Sequence, residues 1–454
     1  MVSKRSPISL PSMSQSDRRV VITGMGLISP LGHSPEDLWH ALEAGQSGVK
    51  VLSAIPTDHF PSDFGGECTE FTGEISNFGP LEKKLQRSIK KALRLMCREI
   101  QLGVAAAQLA IGNSGLEPGS FDPTRFGTLF GSDYIITSPM DFNQGIQNCI
   151  DPDSSGEFCF GNWAENGIPK VEPLWLLKYL PNMPASHVAI FNDLRGPSNS
   201  LTVREASANL SVAEAATIIQ RGSADIMIAG ATGSRIHPLR TVHLVLQEQL
   251  ADRNTEAADG DPTKACRPFD KDRSGMVLGE GAGVVILEEL SSAQKRGATI
   301  LGEVIGYGSS SVASRQGVGD YKTAFSNVLK GALETSGLKP ADIGHIHAHG
   351  LSSPKCDRDE AEAINDIMGQ TPVTAAKSQM GNLGGGSGMI ELISSLLAIH
   401  NNSLFPIMNC DSLGDDCPIA AVREKGTSPG DSFISTNITP QGQASSIAIR
   451  AFSG

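Results

Sequence analysis

The chain has 454 residues, 39% of them apolar and 19% charged, enough for more than one ordinary core. Its formal net charge of −12 argues against nucleic-acid binding, which needs clustered Lys and Arg, and no apolar run approaches the ~20 residues of a membrane-spanning helix. Eight cysteines, Cys68, Cys97, Cys149, Cys159, Cys266, Cys356, Cys410 and Cys417, form no CxxC pair or Cys/His cluster, so no metal is expected, and reduced thiols in a cytoplasmic protein fit better than disulfides.

Residues 1–18 are polar, with scattered Ser and Pro, and read as a disordered leader. "RRVVITGMGLISPLG" follows as a short buried strand, Val20 to Thr23, entering a Gly-punctuated turn. "SPEDLWHALEAGQSG" has helical spacing and an acidic first turn. The stretch from Leu81 to Gly115 predicts one long amphipathic helix, with Leu85, Ile89, Met96 and Ile100 on one side. Lys83, Lys84, Arg87, Lys90, Lys91 and Arg94 line another side, a basic face on an acidic protein. "FGTLFGSD" and "ADIMIAGAT" read as buried strands, and residues 144–172, which lack periodicity, as a loop insertion.

Between the two strands, "GPSNSLTVREASANLS" has the form of a turn that presents Glu205 from the first turn of a helix over roughly 206–221. Sequences of this form normally carry a nucleophile there. "SGMVLGEGAGVVILEEL" is a Gly-rich turn into a strand, "YKTAFSNVLKGALETSG" a helix, "IGHIHAHG" a strand ending in a loop, "GMIELISSLLAIHNNSL" a helix and "SSIAIRAF" a terminal strand. Strands alternating with helices predict an α/β protein with largely parallel sheets.

Five patterns in order, "VVITGMGLISPLG", "RGPSNSL" with "GSADIMIAGAT", "RPFDKDRSGMVLGEGAGVVILEEL", "HAHGLSSPKCDRDEAEAI" and "AAKSQMGNLGGGSGMIE", resemble the β-ketoacyl-[acyl-carrier-protein] synthases over Arg19 to Phe452. The resemblance implies a thiolase-like fold, two similar α/β halves in a five-layered α-β-α-β-α arrangement, divided here as 19–285 and 286–454. It also implies a dimer, no cofactor, and an acyl carrier protein as partner. In that family an elbow Cys takes an acyl chain, and two histidines help malonyl-carrier decarboxylate.

His349 matches the first family histidine, whereas His345 and His347 on the same strand read as structural. Asn382 stands where the second histidine is expected, and its amide can still donate to an enolate oxygen. Lys377, Asp357 and Glu360 occupy the positions of a supporting charged network, with an ordinary buried ion-pair network as the equal alternative. Glu205 replaces the Cys; a carboxylate is a weak nucleophile and its acyl product would be a reactive anhydride. Pro440, Gln441 and Gly442 stand in the Gly-rich loop that gates the family's pocket, and Leu351 replaces a substrate-contacting Thr. The expected role is therefore a non-condensing partner similar to the chain-length factors, in a homodimer or paired with an intact synthase in fatty-acid or polyketide synthesis. The alternatives are a malonyl-thioester decarboxylase, Glu205/His349 acid–base chemistry, or simple carrier binding through the basic face of Lys83, Arg87, Lys90, Lys91 and Arg94.

Overall fold

The computed structural model describes residues 18–58, 60–117, 119–151, 156–252 and 260–453; the leader expected over 1–17 lies outside them. Arg18, counted with that leader, is described and pairs with Asp225. The strands in chain order are β1 (Val20–Ile28), β2 (Val49–Val51), β3 (Phe64–Gly66), β4 (Phe126–Ser132), β5 (Ser198–Thr202), β6 (Ile226–Ser234) and β7 (Leu278–Glu289). The second half supplies β8 (Gly302–Ser311), β9 (His345–His347), β10 (Pro372–Thr374), β11 (Ala420–Ala421), β12 (Ser432–Ile438) and β13 (Gln443–Arg450).

The strand order is β11-β10-β9-β12-β13-β8-β1-β7-β6-β4-β5, with β2 and β3 attached beside β7. A short antiparallel pairing of Val20–Ile22 in β1 with Gly302–Val304 in β8 joins the two halves. The sheet is mixed rather than largely parallel as expected: β4 runs parallel to β5 and β6, whereas β7 is antiparallel to both β6 and β1. The division expected at 285/286 falls inside β7.

Two helices, Ser207–Gln220 and Ser387–His400, lie between the sheet halves and are buried nearly all round. Arg98–Asn113 covers the outer face of the first half, and Tyr321–Ser336 that of the second, completing five layers. Close approach comes from small residues: a Cβ on Gly131 of β4 would stand 2.6 Å from Ser207 Cβ. The central core gathers Ala208, Val212, Ala215 and Ile219 from one helix with Met389, Ile390, Ile393 and Leu396 from the other.

The single long helix expected over 81–115 is two helices, Lys83–Ala92 and Arg98–Asn113, with a 3-10 turn at Leu93–Leu95. Met96 is extended (φ −122°, ψ 122°), and Cys97 N–H donates to Lys178 O at 3.3 Å. The break lets Ile89, Met96 and Ile100 enter one core although the first helix buries only Ile89. The described residues of the 144–172 stretch are largely exposed, beginning in the helix Met140–Gln147 and continuing, from residue 156 on, through short turns. Among the described residues no helix is long and apolar enough to cross a membrane, and all eight cysteines are free.

Candidate functional site

The chain leaves β5 at Thr202 and enters the central helix through a tight turn, Arg204–Ala206. The left-handed residue of this elbow is Arg204 (φ 50°), not Glu205, and holding a non-glycine residue there costs of the order of ~1–3 kcal/mol. Glu205 follows it, 1% exposed, at the amino end of the helix.

Glu205 is enclosed by charge. Its Oε1 accepts from Arg235 Nη2 in a short, fully buried ion pair and from Asn382 Nδ2 at 3.1 Å. Its Oε2 lies 3.5 Å from Arg204 Nε. Arg204 in turn pairs with Glu248, and Arg235 lies 3.6 Å from Glu248 and 3.8 Å from Asp133. Burial pushes the Glu205 carboxyl up, but the two arginines outweigh it and hold the group well below the usual carboxylate range. It is an ionised carboxylate held between two arginines, unsuited to taking a proton near neutral pH.

Asn382 is oriented by two donors to its Oδ1, Gly384 N–H at 3.1 Å and Ser387 Oγ at 3.0 Å. Its Nδ2 faces Glu205 and Met276 Sδ, so the amide expected to serve an enolate oxygen is already engaged. His349 is also 1% exposed, and burial and then Lys377 hold its ring well below the ordinary imidazole range, hence neutral. Its Nδ1 is 3.3 Å from both Asn437 Oδ1 and Lys377 Nζ. These contacts make opposite demands: Asn437 accepts from Nδ1–H, whereas Lys377 donates to a bare Nδ1. Only the second leaves Nε2–H able to donate to an oxyanion.

Lys377 does not pair with Asp357 or Glu360 as the sequence suggested. It pairs with Glu391 inside the central helix and donates to His349 O at 2.9 Å. Asn437 Nδ2 donates to the other Glu391 oxygen at 2.8 Å. Asp357 and Glu360 instead tie down the loop after β9. Glu360 accepts from the N–H groups of His349 (2.7 Å) and Gly350 (2.9 Å) and from Thr436 Oγ1 (2.9 Å). Asp357 accepts from the N–H groups of Phe269 and Leu351, both at 2.9 Å. His345 and His347 share Ser395 Oγ and are structural. Leu351 packs against Leu244, Met276 and Leu278.

Burial pushes the Asp357 carboxyl up to about 6 and the Glu360 carboxyl up to about 7, against the pull of their N–H donors. A group that holds its proton more tightly when folded stabilises fully below its unfolded value, 4.5 for Glu360, and loses that contribution as pH rises through about 7. Glu205 has the opposite sign: its contribution is complete above 4.5 and is lost as pH falls towards its depressed folded value. Urea midpoints are expected to decline from about pH 5 to pH 7.5 and again below about pH 4. Glu360→Gln should flatten the first decline and Glu205→Gln the second.

Pro440, Gln441 and Gly442 form the turn between β12 and β13. Gly442 N–H donates to Thr439 O (2.9 Å), Val312 N–H to Gly442 O (3.0 Å) and Tyr321 Oη to Pro440 O (3.2 Å). Gly442 has φ 80°, and a Cβ there would stand 2.1 Å from Val312 O. This is a pinned hairpin turn with Pro preset at its first central position. Lys83, Lys84, Arg87, Lys90, Lys91 and Arg94 all lie exposed on or just beyond the helix Lys83–Ala92. Among the described residues no group of three or more His, Cys, Asp or Glu could hold a metal ion.

Arg204, Arg235, Asp133, Glu248, Glu391 and Asn437 belong to the site without having been singled out from sequence. Glu391 had a signal, being the one acidic residue in the apolar run "GMIELISSLLAI". Arg204, adjacent to the elbow residue, had another.

The Beta-ketoacyl synthase N-terminal domain matches residues 17–293, and the corresponding C-terminal domain matches residues 301–411. The 3-oxoacyl-[acyl-carrier-protein] synthase 2 of Coxiella burnetii is 33% identical over 407 residues, 88% of this chain and 91% of the relative. That of Vibrio cholerae is 34% identical over 408 residues, 87% and 90% of the two chains. A β-ketoacyl synthase from Burkholderia phymatum superposes with a TM-score of 0.81 at 25% identity, covering 96% of this chain and 100% of the other. The ishigamide ketosynthase/chain length factor, at TM-score 0.78, 24% identity and the same coverage, shares the fold. So does a type II polyketide ketosynthase in complex with its acyl-carrier protein, at TM-score 0.79, 23% identity and the same coverage. With both domains matched in order around an elbow, a buried His349 and the Lys377 network, this chain belongs to the β-ketoacyl synthase family.

Proposed function

We propose that this chain is a non-condensing member of its family, a chain-length-factor-like partner or scaffold that works beside an intact synthase on a carrier-bound acyl chain in the cytoplasm. The observation that carries this reading is the Glu205–Arg235 ion pair, braced by Arg204 and Asn382, where condensation needs a free nucleophile. A carboxylate neutralised by two arginines and 1% exposed has neither the nucleophilicity to open a thioester nor room for an acyl chain beside it. Asn382 spends its donors on the same carboxylate and on Met276, so enolate stabilisation loses one of its two groups. Acid–base chemistry between Glu205 and His349 gains no support, because the hydrogen bonds Glu205 accepts come from Arg235 and Asn382.

Two surface features support pairing. Among the described residues β5 is an edge strand with a neighbour on one side only, and an open edge is a template for another chain. On the helix Pro238–Gln247, Leu239, Val242 and Leu246 are 44%, 41% and 77% exposed. Native mass spectrometry of the chain mixed with a family synthase that keeps its Cys is expected to show a mixed dimer with altered product length. A mixture that stays as separate species, with unchanged products, contradicts the partner role.

The basic helix is the proposed docking face for an acidic carrier protein. Reversing Lys83, Arg87, Lys90 and Lys91 to Glu is expected to weaken carrier binding at least tenfold at low salt and to remove its salt dependence. Unchanged affinity in a titration would exclude this face.

A further inference from the structure

We propose that Cys149 and Cys159 form a disulfide-forming pair, a modification site in the insertion and separate from the elbow chemistry. Ile150 and Phe158 form an isolated antiparallel bridge. That register places residue 149 opposite 159 and residue 151 opposite 157. Two hydrogen bonds agree with it: Cys159 N–H donates to Cys149 O at 2.8 Å, and Asp151 N–H to Glu157 O at 3.2 Å. Opposed residues of an antiparallel ladder project to the same face with Cα atoms about 4.5–5.5 Å apart. Disulfides span Cα separations of about 4.4–6.8 Å, a range that opposed positions of such a ladder meet.

Accessibility orders the chemistry. Cys159 is exposed and Cys149 is buried, both as free thiols. With a small disulfide such as oxidised glutathione as oxidant, the Cys159 thiolate attacks one sulfur, forming a mixed disulfide and releasing one thiolate. The Cys149 thiolate then displaces the second. The two protein thiols give up two electrons and two protons, and the oxidant leaves as two thiols. Of the other six cysteines, Cys68, Cys266, Cys356, Cys410 and Cys417 are at most 3% exposed, and the partly exposed Cys97 has its thiol pushed well above the ordinary range by burial and by Glu99. The link would fix the segment carrying Phe158 and Phe160, whose rings lie exposed beside Cys159.

The test equilibrates the full-length protein in buffers of rising oxidised-to-reduced glutathione ratio, quenches with acid and alkylates free thiols in denaturant. A protease cutting after Asp and Glu separates the two cysteines, since Asp151 and Glu157 lie between them. The expected result is one linked peptide pair, 149 with 159, that disappears with dithiothreitol, and a Cys149→Ser variant arrested at the glutathione adduct of Cys159. Wild-type protein in which Cys159 carries glutathione while Cys149 remains alkylatable, or in which Cys159 links two chains, would overturn the assignment. Neither outcome depends on whether the elbow condenses.

Discussion

Replacing Glu205 by Cys is expected to leave the chain unable to condense and to destabilise it by about 3–5 kcal/mol. Introducing the thiol removes the anion that faces Arg235, which is 1% exposed along its side chain and keeps, among the described residues, Asp133 and Glu248 as acidic neighbours at 3.6–3.8 Å. Breaking one member of a buried pair costs more than the pair is worth, because the surviving charge keeps its desolvation penalty. The new thiol would also lie beside Asn382, whose amide orientation is set by Gly384 and Ser387. Urea unfolding measures the first effect, and intact mass after incubation with acyl-loaded carrier protein measures the second. The Glu205→Gln/Arg235→Met double variant should lose less stability than the sum of its single changes, with a coupling of about 0.5–3 kcal/mol. A stable Glu205→Cys protein that accumulates an acyl adduct would contradict the account of this pocket.

Lys377→Met is expected to be as damaging, again about 3–5 kcal/mol, because it strands Glu391 in the central helix with Asn437 as its remaining partner. It also removes the donor to His349 O and frees Nδ1 of that ring from the ammonium. The His349 pKa should therefore rise, since Lys377 is the second-largest cause of its depression after burial. A Lys377→Met/Glu391→Leu double variant removes both charges and should regain most of the loss. Thermal unfolding of the three variants, with histidine NMR titration, checks both parts. A single Lys377→Met change that costs less than 1 kcal/mol would show that the pair carries little of the fold.

The strands β4 and β6 were legible as apolar runs, whereas β1 continues to Ile28 through Gly24 and Gly26, which read as a turn from sequence, and β2, β3, β8, β10, β11 and β12 carried no clear run. The helix Pro35–Ala44 was legible from its spacing and acidic first turn, and the structure adds its caps: Ser34 accepts from Asp37 N–H and Gly45 closes it in the left-handed conformation. The break near Met96 had no such mark, since no Gly or Pro interrupts residues 83–97 and only tertiary packing turns the chain there. At the site, the positions of Glu205, His349, Asn382 and Lys377 were implied by the resemblance to the β-ketoacyl synthases, but their partners were not. Arg235, at the end of β6, reaches Glu205 only because the fold brings the start of one central helix against the carboxyl end of a sheet strand. The left-handed φ fell on Arg204 rather than Glu205, and without a Gly there no residue type announced it. Asp357 and Glu360 lie in the helix Pro354–Met368 and bind the loop after β9 rather than Lys377, and a carboxylate that binds backbone N–H groups leaves no complementary charge in the sequence.

The central claim, an elbow whose carboxylate no longer supports condensation, is tested most directly on the purified chain alone. Malonyl-loaded and acyl-loaded carrier protein are added, and carbon dioxide release and intact protein mass are followed together. The account predicts no release above the carrier's own background and no mass increase on the chain. Carbon dioxide release that disappears in Glu205→Ala, or a covalent acyl adduct, would mean that the elbow carboxylate still does chemistry and would contradict it.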